Sequence, residues 1–381
     1  MPGPIHGVKV LELAQIMAGP TCGLMLADLG AEVIKIEKIP GGDDTRRFLP
    51  PDVNGEAAAF MQMNRNKKGM ALDLKQKEGV EVFKRLVKQA DVVIENFRKG
   101  TLEKLGIGYE ELKKINPRII LCEISGYGRT GPYADKGGFD LIAQGMTGLM
   151  SITGESKDRP PMKVGAPLTD ITAGILGATG VLAALVAREK TGVGQRVDTS
   201  LYEAGIVHTY WQSAIASATG ISPGPLGSAH PLTAPYQAFK TKDSYIIVAA
   251  GNDKLFEGMC LTLGCDCHKE EKFKDNKSRN QNIDELKIII EDKLKNKTTS
   301  EWVGIFTEKK IPCGPINNIK EAVENPQIQF RNMIVSAEHN KIGTFKMAGN
   351  PIKLSGYQDS ITRGEIPDLD QHRKKILEEF K

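Results

Sequence analysis

The sequence predicts an α/β fold in which a mostly parallel sheet is covered by helices on both faces. Short runs of aliphatic and β-branched residues alternate with helical segments between residues 9 and 124, and residues 9–36 have a strand, helix, strand pattern. The chain has 381 residues, of which 40% are hydrophobic, so it is long enough for two or three domains. We therefore expect a large α/β domain accompanied by a smaller one.

The individual elements follow from the hydrophobic pattern. Strands are predicted at residues 9–13, 32–36, 70–74, 91–95 and 119–124, with helices at about 19–29 and 79–88. This alternation is typical of a Rossmann-like, mostly parallel sheet. A longer helix is predicted at 170–188, where small residues permit close backbone approach in a core or a dimer interface: Gly174, Ala178, Gly180, Ala183 and Ala184.

A domain boundary is predicted at residues 220–227, because the run Gly-Ile-Ser-Pro-Gly-Pro-Leu-Gly opposes regular structure. The chain then continues with a strand at 245–249 and with Lys- and Glu-rich helices that have apolar residues at helical spacing, such as Leu286, Ile289 and Ile290. We therefore predict a first large-domain segment at 1–220, followed by a linker and a small α+β domain at 221–325.

Composition argues against several classes of partner. The formal net charge is only +4, and basic residues are mixed with acidic ones, so nucleic acid is not expected to bind. The first residues, Met-Pro-Gly-Pro-Ile-His, lack the basic start and apolar run of a signal peptide. The longest apolar stretch, near 174–187, is interrupted by glycine and is too short to span a bilayer. We therefore expect a cytoplasmic protein without a membrane partner.

The six cysteines are scattered, which is not the pattern of a disulfide framework in a chain of this length. Cys260, Cys265, Cys267 and His268 form a group with the composition of a metal site. Its Cys-x-Cys-His spacing lacks the usual two intervening residues, and no second ligand pair follows. The sequence therefore predicts reduced cysteines and no metal.

The opening strand, helix, strand pattern also raises the hypothesis of a nicotinamide-dependent dehydrogenase, with Glu37 as the ribose-binding acid. A dinucleotide turn requires Gly-x-Gly-x-x-Gly so that the backbone can approach the pyrophosphate. Residues 14–19 are instead Ala-Gln-Ile-Met-Ala-Gly. A nicotinamide cofactor is therefore not expected, although the same crevice can hold another nucleotide.

Asp170 is the most informative single residue, because it is a lone carboxylate between the turn at Pro167 and the small-residue helix. One interpretation is that Asp170 caps the helix by accepting hydrogen bonds from free backbone N–H groups. However, no Glu or Gln follows three residues later to complete a capping box. The other interpretation is that Asp170 is a nucleophile.

The motif around Asp170 and many other blocks in the same order resemble the class III coenzyme A transferases and the related alpha-methylacyl-CoA racemases. The matching blocks include Gly7-Val-Lys-Val-Leu-Glu12, Asp28-Leu-Gly-Ala-Glu-Val-Ile-Lys-Ile-Glu37, Gly41-Gly-Asp-Asp-Thr-Arg46, Asn64-Arg-Asn-Lys-Lys68, Glu95-Asn-Phe-Arg98, Ser125-Gly-Tyr-Gly128, Gly138-Phe-Asp140, Lys190-Thr-Gly-Val-Gly-Gln195, Pro235-Tyr-Gln-Ala-Phe239 and Gly314-Pro-Ile-Asn317. The blocks extend over essentially the full length, which makes the resemblance specific.

The resemblance implies that residues 326–381 return to complete the large domain and that two chains interlock as a homodimer. It implies that the chain holds no permanent cofactor and that a coenzyme A thioester and a free carboxylic acid are its substrates. It also implies that coenzyme A contacts Gln15, Ile16, Ala18, Lys38, Leu72, Asp73, Leu74, Lys75, Asn96, Phe97, Arg98, Lys104, Gly137, Gly138, Phe139 and Asp140. Arg46, Arg65, Lys67 and Lys68 are further basic candidates, each of which alone is more typical of a solvated surface.

For Asp170 the resemblance implies nucleophilic catalysis, in which the carboxylate attacks an acyl-CoA and then carries coenzyme A as an aspartyl thioester. The tetrahedral oxyanions of such steps require N–H donors, and the backbone near Gly137 and Gly138 or at Gly251 is a candidate.

Two alternatives to transfer remain open. The racemase relatives use a histidine immediately before the Asp of the Gly-x-Asp block, and this chain has Phe139 there, which cannot accept a proton. His208 and His230 are possible substitutes. A non-catalytic acyl-CoA binding protein is the second alternative, and the intact Asp170 motif argues against it.

The acyl groups are less clearly indicated. Formyl-CoA transferases carry glutamine where this chain has Met17 and a glycine run where it has Gly251-Asn-Asp-Lys254. The blocks from Gly227, Pro235 and Gly314 are more similar to those of the succinyl-CoA:glutarate enzymes. We therefore expect a short dicarboxylate as acceptor.

Overall fold

The computed structural model describes residues 3–380, which form two compact units. The first unit contains residues 3–149, 163–208 and 325–380, and the second contains Met150–Met162 and Thr209–Glu324. These ranges differ from the predicted ones in two places. The second unit begins at Thr209, before the Pro- and Gly-rich run, and it includes the short segment 150–162.

The strands, in chain order, are β1 (Lys9–Glu12), β2 (Glu32–Glu37), β3 (Asp52–Val53), β4 (Glu56–Ala57), β5 (Lys67–Ala71), β6 (Val92–Glu95), β7 (Ile120–Ser125), β8 (Arg196–Ser200), β9 (Tyr236–Lys240), β10 (Tyr245–Ala249), β11 (Cys313–Pro315), β12 (Ile334–His339) and β13 (Gly343–Ala348). The helices are α1 (Ala18–Asp28), α2 (Ala58–Asn64), α3 (Lys77–Val87), α4 (Thr101–Lys104), α5 (Tyr109–Ile115), α6 (Asp140–Met146), α7 (Leu149–Ile152), α8 (Leu168–Thr191), α9 (Leu201–Val207), α10 (Tyr210–Thr219), α11 (Asp253–Leu263), α12 (Asn276–Gln281), α13 (Ile283–Leu294), α14 (Thr299–Glu308), α15 (Ile319–Glu324), α16 (Pro326–Phe330) and α17 (Arg373–Glu379).

The first unit is built on a six-stranded sheet with the order β5-β2-β1-β6-β7-β8, in which every neighbouring pair is parallel. Successive side chains of a strand point to opposite faces, so Val10 belongs to the core under α1 and α8 while Leu11 belongs to the core under α3 and α5. The α/β fold with helices on both faces is therefore confirmed. The order of connection reverses between β1 and β6, which creates a crevice at their carboxyl ends.

The strand predicted at 70–74 lies earlier in the chain, because β5 ends at Ala71 and residues 72–75 form the following loop. The sequence pattern failed here because the strand begins with Lys67 and Lys68, which have no apolar alternation. Lys67 is nevertheless only 2% exposed, because its Nζ lies 2.8 Å from the buried Glu12 carboxylate. An ion pair therefore replaces an apolar contact inside the sheet.

Helix α8 is longer than expected and packs along α1, β7 and β8. Glycine is required at position 174, because a Cβ there would lie 2.5 Å from the Ala18 carbonyl oxygen. The expectation that this stretch is too short for a bilayer was wrong: α8 has 24 residues and by length and composition alone could cross a membrane. Core helices of globular proteins pass the same test, and Ala173, Val181 and Ala184 are buried against the sheet.

The second unit combines a three-stranded antiparallel sheet, β11-β10-β9, with helices α11 to α14. Its core contains Phe239, Phe256, Phe306 and Ile290, which are all fully or almost fully buried. The predicted strand at 245–249 coincides with β10, and Leu286 and Ile290 face the core as the helical spacing predicts. This unit therefore has its own apolar core.

Candidate active site

Two neighbouring cavities lie where the parallel strands of the first unit end. The larger has a volume of about 620 Å³ and the smaller about 370 Å³, and Gln15, Phe97 and Thr101 line both. Loops that follow β1, β2, β5, β6 and β7 contribute to the walls. The cavities thus occupy the crevice in which open α/β sheets bind ligands.

Asp170 lines the larger cavity from the first turn of α8. The residue that precedes this helix is Pro167, and the first-turn N–H of Thr169 donates to Asp140 and not to Asp170, so the capping interpretation of Asp170 was wrong. Among residues 3–380, no side chain or backbone group forms a hydrogen bond or ion pair with the Asp170 carboxylate. Burial raises the pKa of Asp170 to about 7, and the negative charge of Asp140 acts in the same direction.

Asp140 holds the start of α8 in place. Its Oδ1 accepts hydrogen bonds from the backbone N–H and the hydroxyl of Thr169, at 2.9 and 2.8 Å, and its Oδ2 accepts one from Gln144, at 2.7 Å. The Gln144 side chain also accepts from the N–H of Val164, at 2.9 Å. Asp140 thus uses both oxygens within the protein, lines neither cavity, and positions the residue next to Asp170.

The loop after β1 forms the opposite wall and is held by an amide. Gln15 donates its N–H to Asn96 Oδ1 at 3.0 Å and accepts from Asn96 Nδ2 at 2.8 Å, so the two loops that flank the β1–β6 crevice are paired. The next residue, Ile16, has φ of +71°. This left-handed conformation is strained for a β-branched residue and persists only where surrounding contacts fix it.

A buried carboxylate supplies those contacts. Both Asp43 oxygens accept from the N–H of Ile16, at 3.1 and 3.2 Å, and Asp43 Oδ2 lies 2.8 Å from the Nζ of Lys35. Lys35 Nζ also lies 3.0 Å from Glu12, which in turn pairs with Lys67. The strained loop is therefore connected to a network of two buried acids, Glu12 and Asp43, and two buried bases, Lys35 and Lys67.

The charges of this network stabilise one another. Burial alone would raise the pKa of Asp43, but the Lys35 ammonium outweighs burial and lowers it to about 2. Burial alone would lower the pKa of Lys35, but Glu12 and Asp43 raise it. Lys67 is less well compensated, so burial lowers its pKa to about 8 despite the attraction of Glu12. Asp43 and Lys35 are therefore ionised over the whole physiological range.

The structure brings together most of the residues implied by the resemblance. The larger cavity is lined by Gln15, Ile16, Ala18, Asn96, Phe97, Arg98, Gly137, Gly138, Phe139 and Asp170, and the smaller by Gln15, Lys38, Leu72, Asp73, Leu74, Lys75 and Phe97. Lys104 is exposed at the end of α4 and, like Asp140, lines neither. Glycine at 138 is required because a Cβ there would lie 2.3 Å from the Cα of Gly126.

The other basic candidates have partners within the protein. Arg46 forms two hydrogen bonds of 2.7 Å with Glu37, and Arg65 pairs with Asp28 at 2.6 Å. Lys67 is part of the buried network, and Lys68 pairs with two acids at the sheet edge. Glu37 is thus occupied by Arg46 and is not free for a ribose, which agrees with the absence of a dinucleotide turn. By contrast, the Arg98 guanidinium has no hydrogen bond or ion pair within the described part of the chain.

Several lining residues were missed by sequence reasoning. Thr101 and Lys136 contribute to the walls, and Lys136 Nζ lies 3.9 Å from the centroid of the Tyr133 ring. Asp43 accepts hydrogen bonds from the N–H of Ile16 and thereby fixes the loop after β1. Position after a strand end is a signal that indicates Asp43 and Thr101, since both follow strands whose carboxyl ends face the crevice.

The histidines considered for the racemase alternative do not line the larger cavity. Phe139 lines it and is 66% exposed. His208 lies 2.7 Å from the Thr172 hydroxyl, and His230 in the second unit stacks on Tyr236 with ring centroids 5.2 Å apart. No histidine of the described residues therefore accompanies Asp170 in the cavity wall.

Comparisons with known proteins agree with this arrangement. A profile described as CoA-transferase family III matches residues 5–373. The succinyl-CoA:glutarate CoA-transferase of Homo sapiens is 37% identical over 99% of this chain and 86% of its own, and the succinate–glutarate CoA-transferase of Agrobacterium fabrum is 39% identical over 99% and 96%. The crystal structure of a CAIB/BAIF family protein from Brucella suis superposes with a TM-score of 0.88 over the full length of both chains, at 39% identity. The chain therefore belongs to CoA-transferase family III.

Proposed function

We propose that this family III CoA-transferase moves coenzyme A from an acyl-CoA donor to a short dicarboxylic acid, with Asp170 as the nucleophile. One observation carries the proposal: a carboxylate without a partner forms part of the wall of the cavity at the β1–β6 crevice. A structural carboxylate is normally paired or hydrogen-bonded when it is withdrawn from water. A nucleophile, in contrast, must keep its oxygen lone pairs free.

The chemistry balances without ATP or a metal. The Asp170 carboxylate attacks the donor thioester and releases the CoA thiolate, which leaves a mixed anhydride on Asp170. The thiolate then attacks the aspartyl carbonyl and releases the donor acid, so that coenzyme A is held as an aspartyl thioester. The acceptor carboxylate displaces the thiolate again, and the thiolate finally takes the acceptor acyl group and frees Asp170.

The nucleotide end of coenzyme A fits the smaller cavity and the cations around both cavities. Ile36, Ile39 and Leu74 give the smaller cavity an apolar lining, which suits a flat base, while Lys38 and Lys75 line it as well. Arg98 and Lys136 line the larger cavity without an ion-pair partner in the described residues and suit phosphate oxygens or a second carboxylate. The dicarboxylate acceptor is supported by the substrates named for both curated relatives.

We also propose that the active form is a homodimer. In support, helix α10 has no buried residue, and its Tyr210 and Trp211 are 68% and 58% exposed. Aromatic residues of this kind are enriched in protein interfaces and unusual on a monomer surface.

Replacement of Arg98 by Met is expected to raise the KM for the acyl-CoA about tenfold or more, because an unpaired guanidinium aimed at an anionic ligand contributes roughly 1.5–3 kcal/mol. Lys104→Met is the matched control, since Lys104 lines neither cavity. Steady-state kinetics at varied acyl-CoA concentration give both constants. Equal effects of the two substitutions would contradict the placement of the phosphates near Arg98.

The rate should depend on the ionisation of Asp170. Because burial raises its pKa to about 7, kcat/KM for the acyl-CoA is expected to rise about tenfold per pH unit below that value and to level off above it.

The stability of the protein should change with pH in the opposite direction. Asp170 retains its proton in the folded state up to about pH 7 but loses it near pH 4 when unfolded, so the free energy of unfolding falls over this window.

Asp170→Asn is expected to remove this decrease in the free energy of unfolding between about pH 4 and pH 7. The variant should match the wild type below pH 4 and exceed its free energy of unfolding by up to about 4 kcal/mol above pH 7. Urea unfolding across this range measures the difference between the two proteins. A variant that is less stable at every pH would contradict the desolvated, unpaired carboxylate.

The function itself is tested by incubating the protein in deuterated water with succinyl-CoA and a panel of free carboxylic acids, and separately with branched acyl-CoAs alone. Mass spectrometry of the acyl-CoAs then distinguishes the reactions. New acyl-CoA species identify transfer and name the acceptor. Deuterium at the alpha carbon without acyl exchange would replace the proposal by a racemase, and unchanged acyl-CoAs in every arm would indicate a binding protein.

A further inference from the structure

The second unit contains a cluster of three cysteines that the transfer reaction does not use. Cys260 and Cys267 are buried, Cys265 is partly exposed, and their sulfur atoms all lie within 4.8 Å of one another. The Sγ atoms of Cys265 and Cys267 are 3.1 Å apart. The sequence spacing argued against a metal here, but the chain folds so that the spacing is no obstacle.

The end of helix α11 brings the first two sulfurs together. Cys265 donates its N–H to the carbonyl of Cys260 at 2.9 Å, and Gly264 donates to the carbonyl of Leu261 at 3.2 Å, which are the two hydrogen bonds of a Schellman motif. Gly264 has φ of +68°, which glycine adopts without strain. In this motif the residues at the positions of Cys260 and Cys265 regularly contact each other.

The turn after α11 brings the third sulfur atom, that of Cys267, close to the other two. Cys267 begins a 3-10 helix, Cys267–Lys269, that folds back against α11. His268 comes directly after it, and the Nδ1 atom of His268 is buried without a hydrogen-bond partner among residues 3–380. That nitrogen is not one of the ligand atoms that lie within 4.8 Å of one another, so the three sulfur atoms define the cluster.

These distances match a thiolate metal site. In a tetrahedral zinc site with Zn–S bonds of 2.3 Å, sulfur atoms are about 3.8 Å apart, which lies between the shortest separation here and the upper bound for the cluster. Thiolates are also among the ligands that zinc prefers. A second group of possible ligands, Glu56, His339 and Asp368, differs because Lys341 already supplies a cation to both of its acids.

We infer that the thiolates of Cys260, Cys265 and Cys267 bind a thiophilic divalent cation of the zinc class. The ion fixes the C-terminal end of α11 to the following turn and thereby stabilises the second unit. It takes no part in acyl transfer, which needs no metal. The site is therefore structural and independent of the function proposed for Asp170.

The test uses the full-length protein, purified under reducing conditions and stripped of metal by a chelator. Titration with Zn²⁺ against a chromophoric chelator is expected to show one bound equivalent, and Co²⁺ is expected to give the absorption of thiolate coordination. Zinc should also raise the midpoint of thermal unfolding and protect Cys265 from alkylation, both of which are measured on the wild-type chain.

Cys265→Ser is the informative variant, because Cys265 is the most exposed ligand and its loss leaves the core intact. Its zinc affinity should fall by more than about tenfold. Cys313→Ser, a cysteine of the same unit outside the cluster, is the matched control and should bind zinc as the wild type does. Absence of a bound equivalent in the wild type, or equal affinity in Cys265→Ser, would overturn the inference. An intact mass that shows a disulfide within the cluster, with no zinc bound after reduction, would overturn it as well.

Discussion

Asp170→Asn is expected to lower the rate of acyl-CoA exchange by at least about 10⁴-fold, since removal of a covalent nucleophile leaves only binding and oxyanion stabilisation. The amide has nearly the shape of the carboxylate but cannot form the anhydride or the thioester. Because the Asp170 side chain has no partner among the described residues, the substitution breaks no contact within the protein. The variant should therefore fold normally and bind the acyl-CoA with a dissociation constant close to that of the wild type.

Asp284→Asn is the control for this experiment, since it makes the same chemical change at an exposed position of α13 in the second unit. It should exchange acyl groups at the wild-type rate. If Asp170→Asn kept more than about one hundredth of the wild-type rate, Asp170 would act by position or charge rather than as the nucleophile.

Asp43→Asn is expected to cost about 3–5 kcal/mol of stability and to lower kcat as well, because it leaves a buried positive charge without compensation. In the wild type the negative charges of Glu12 and Asp43 balance those of Lys35 and Lys67. Asparagine removes one negative charge, and it offers one acceptor where the carboxylate offers two to the N–H of Ile16 and the Thr45 side chain. The loss of kcat would report relaxation of the strained Ile16 loop.

Restoring the balance of charges separates the two effects. In the double variant Lys35→Gln and Asp43→Asn, one charge of each sign is removed, so part of the lost stability should return. The activity should remain low, since the Ile16 loop stays less tightly held. Urea unfolding gives the free energy of unfolding, and steady-state kinetics give kcat, for the wild type, the two single variants and the double variant. These four proteins form a double-mutant cycle. Additive losses of stability would contradict a coupled ion network, and a wild-type kcat in the double variant would contradict a role for Asp43 in positioning.

The sequence predicted the parts of the fold that depend on local pattern. The apolar pattern located β1, β2 and β7 within one or two residues. Both faces of these strands are buried, and the buried side chains are mostly the apolar ones from which the strands were predicted. It misplaced β5, since Lys67 enters the interior only with Glu12 as a partner. A contact between residues distant in sequence is not visible in a hydrophobic pattern.

The candidate site was predictable from the resemblance only as a set of positions. That set did not distinguish Arg98, which faces the cavity without a partner, from Lys104, which lies outside it. It gave Asp140 a ligand-binding role, whereas the structure uses both oxygens of Asp140 to hold Thr169 and Gln144. The dependence of Ile16 on Asp43 has no local signal, because a left-handed isoleucine is not expected from its own propensity.

The most direct test of the account is the mass of the intact protein after it is mixed with succinyl-CoA in the absence of an acceptor. We expect a covalent adduct of coenzyme A that is located on the peptide containing Asp170, is released by a dicarboxylic acid, and is absent from Asp170→Asn. Acyl exchange at the full wild-type rate with no adduct on Asp170 under any quenching condition would contradict the aspartyl thioester.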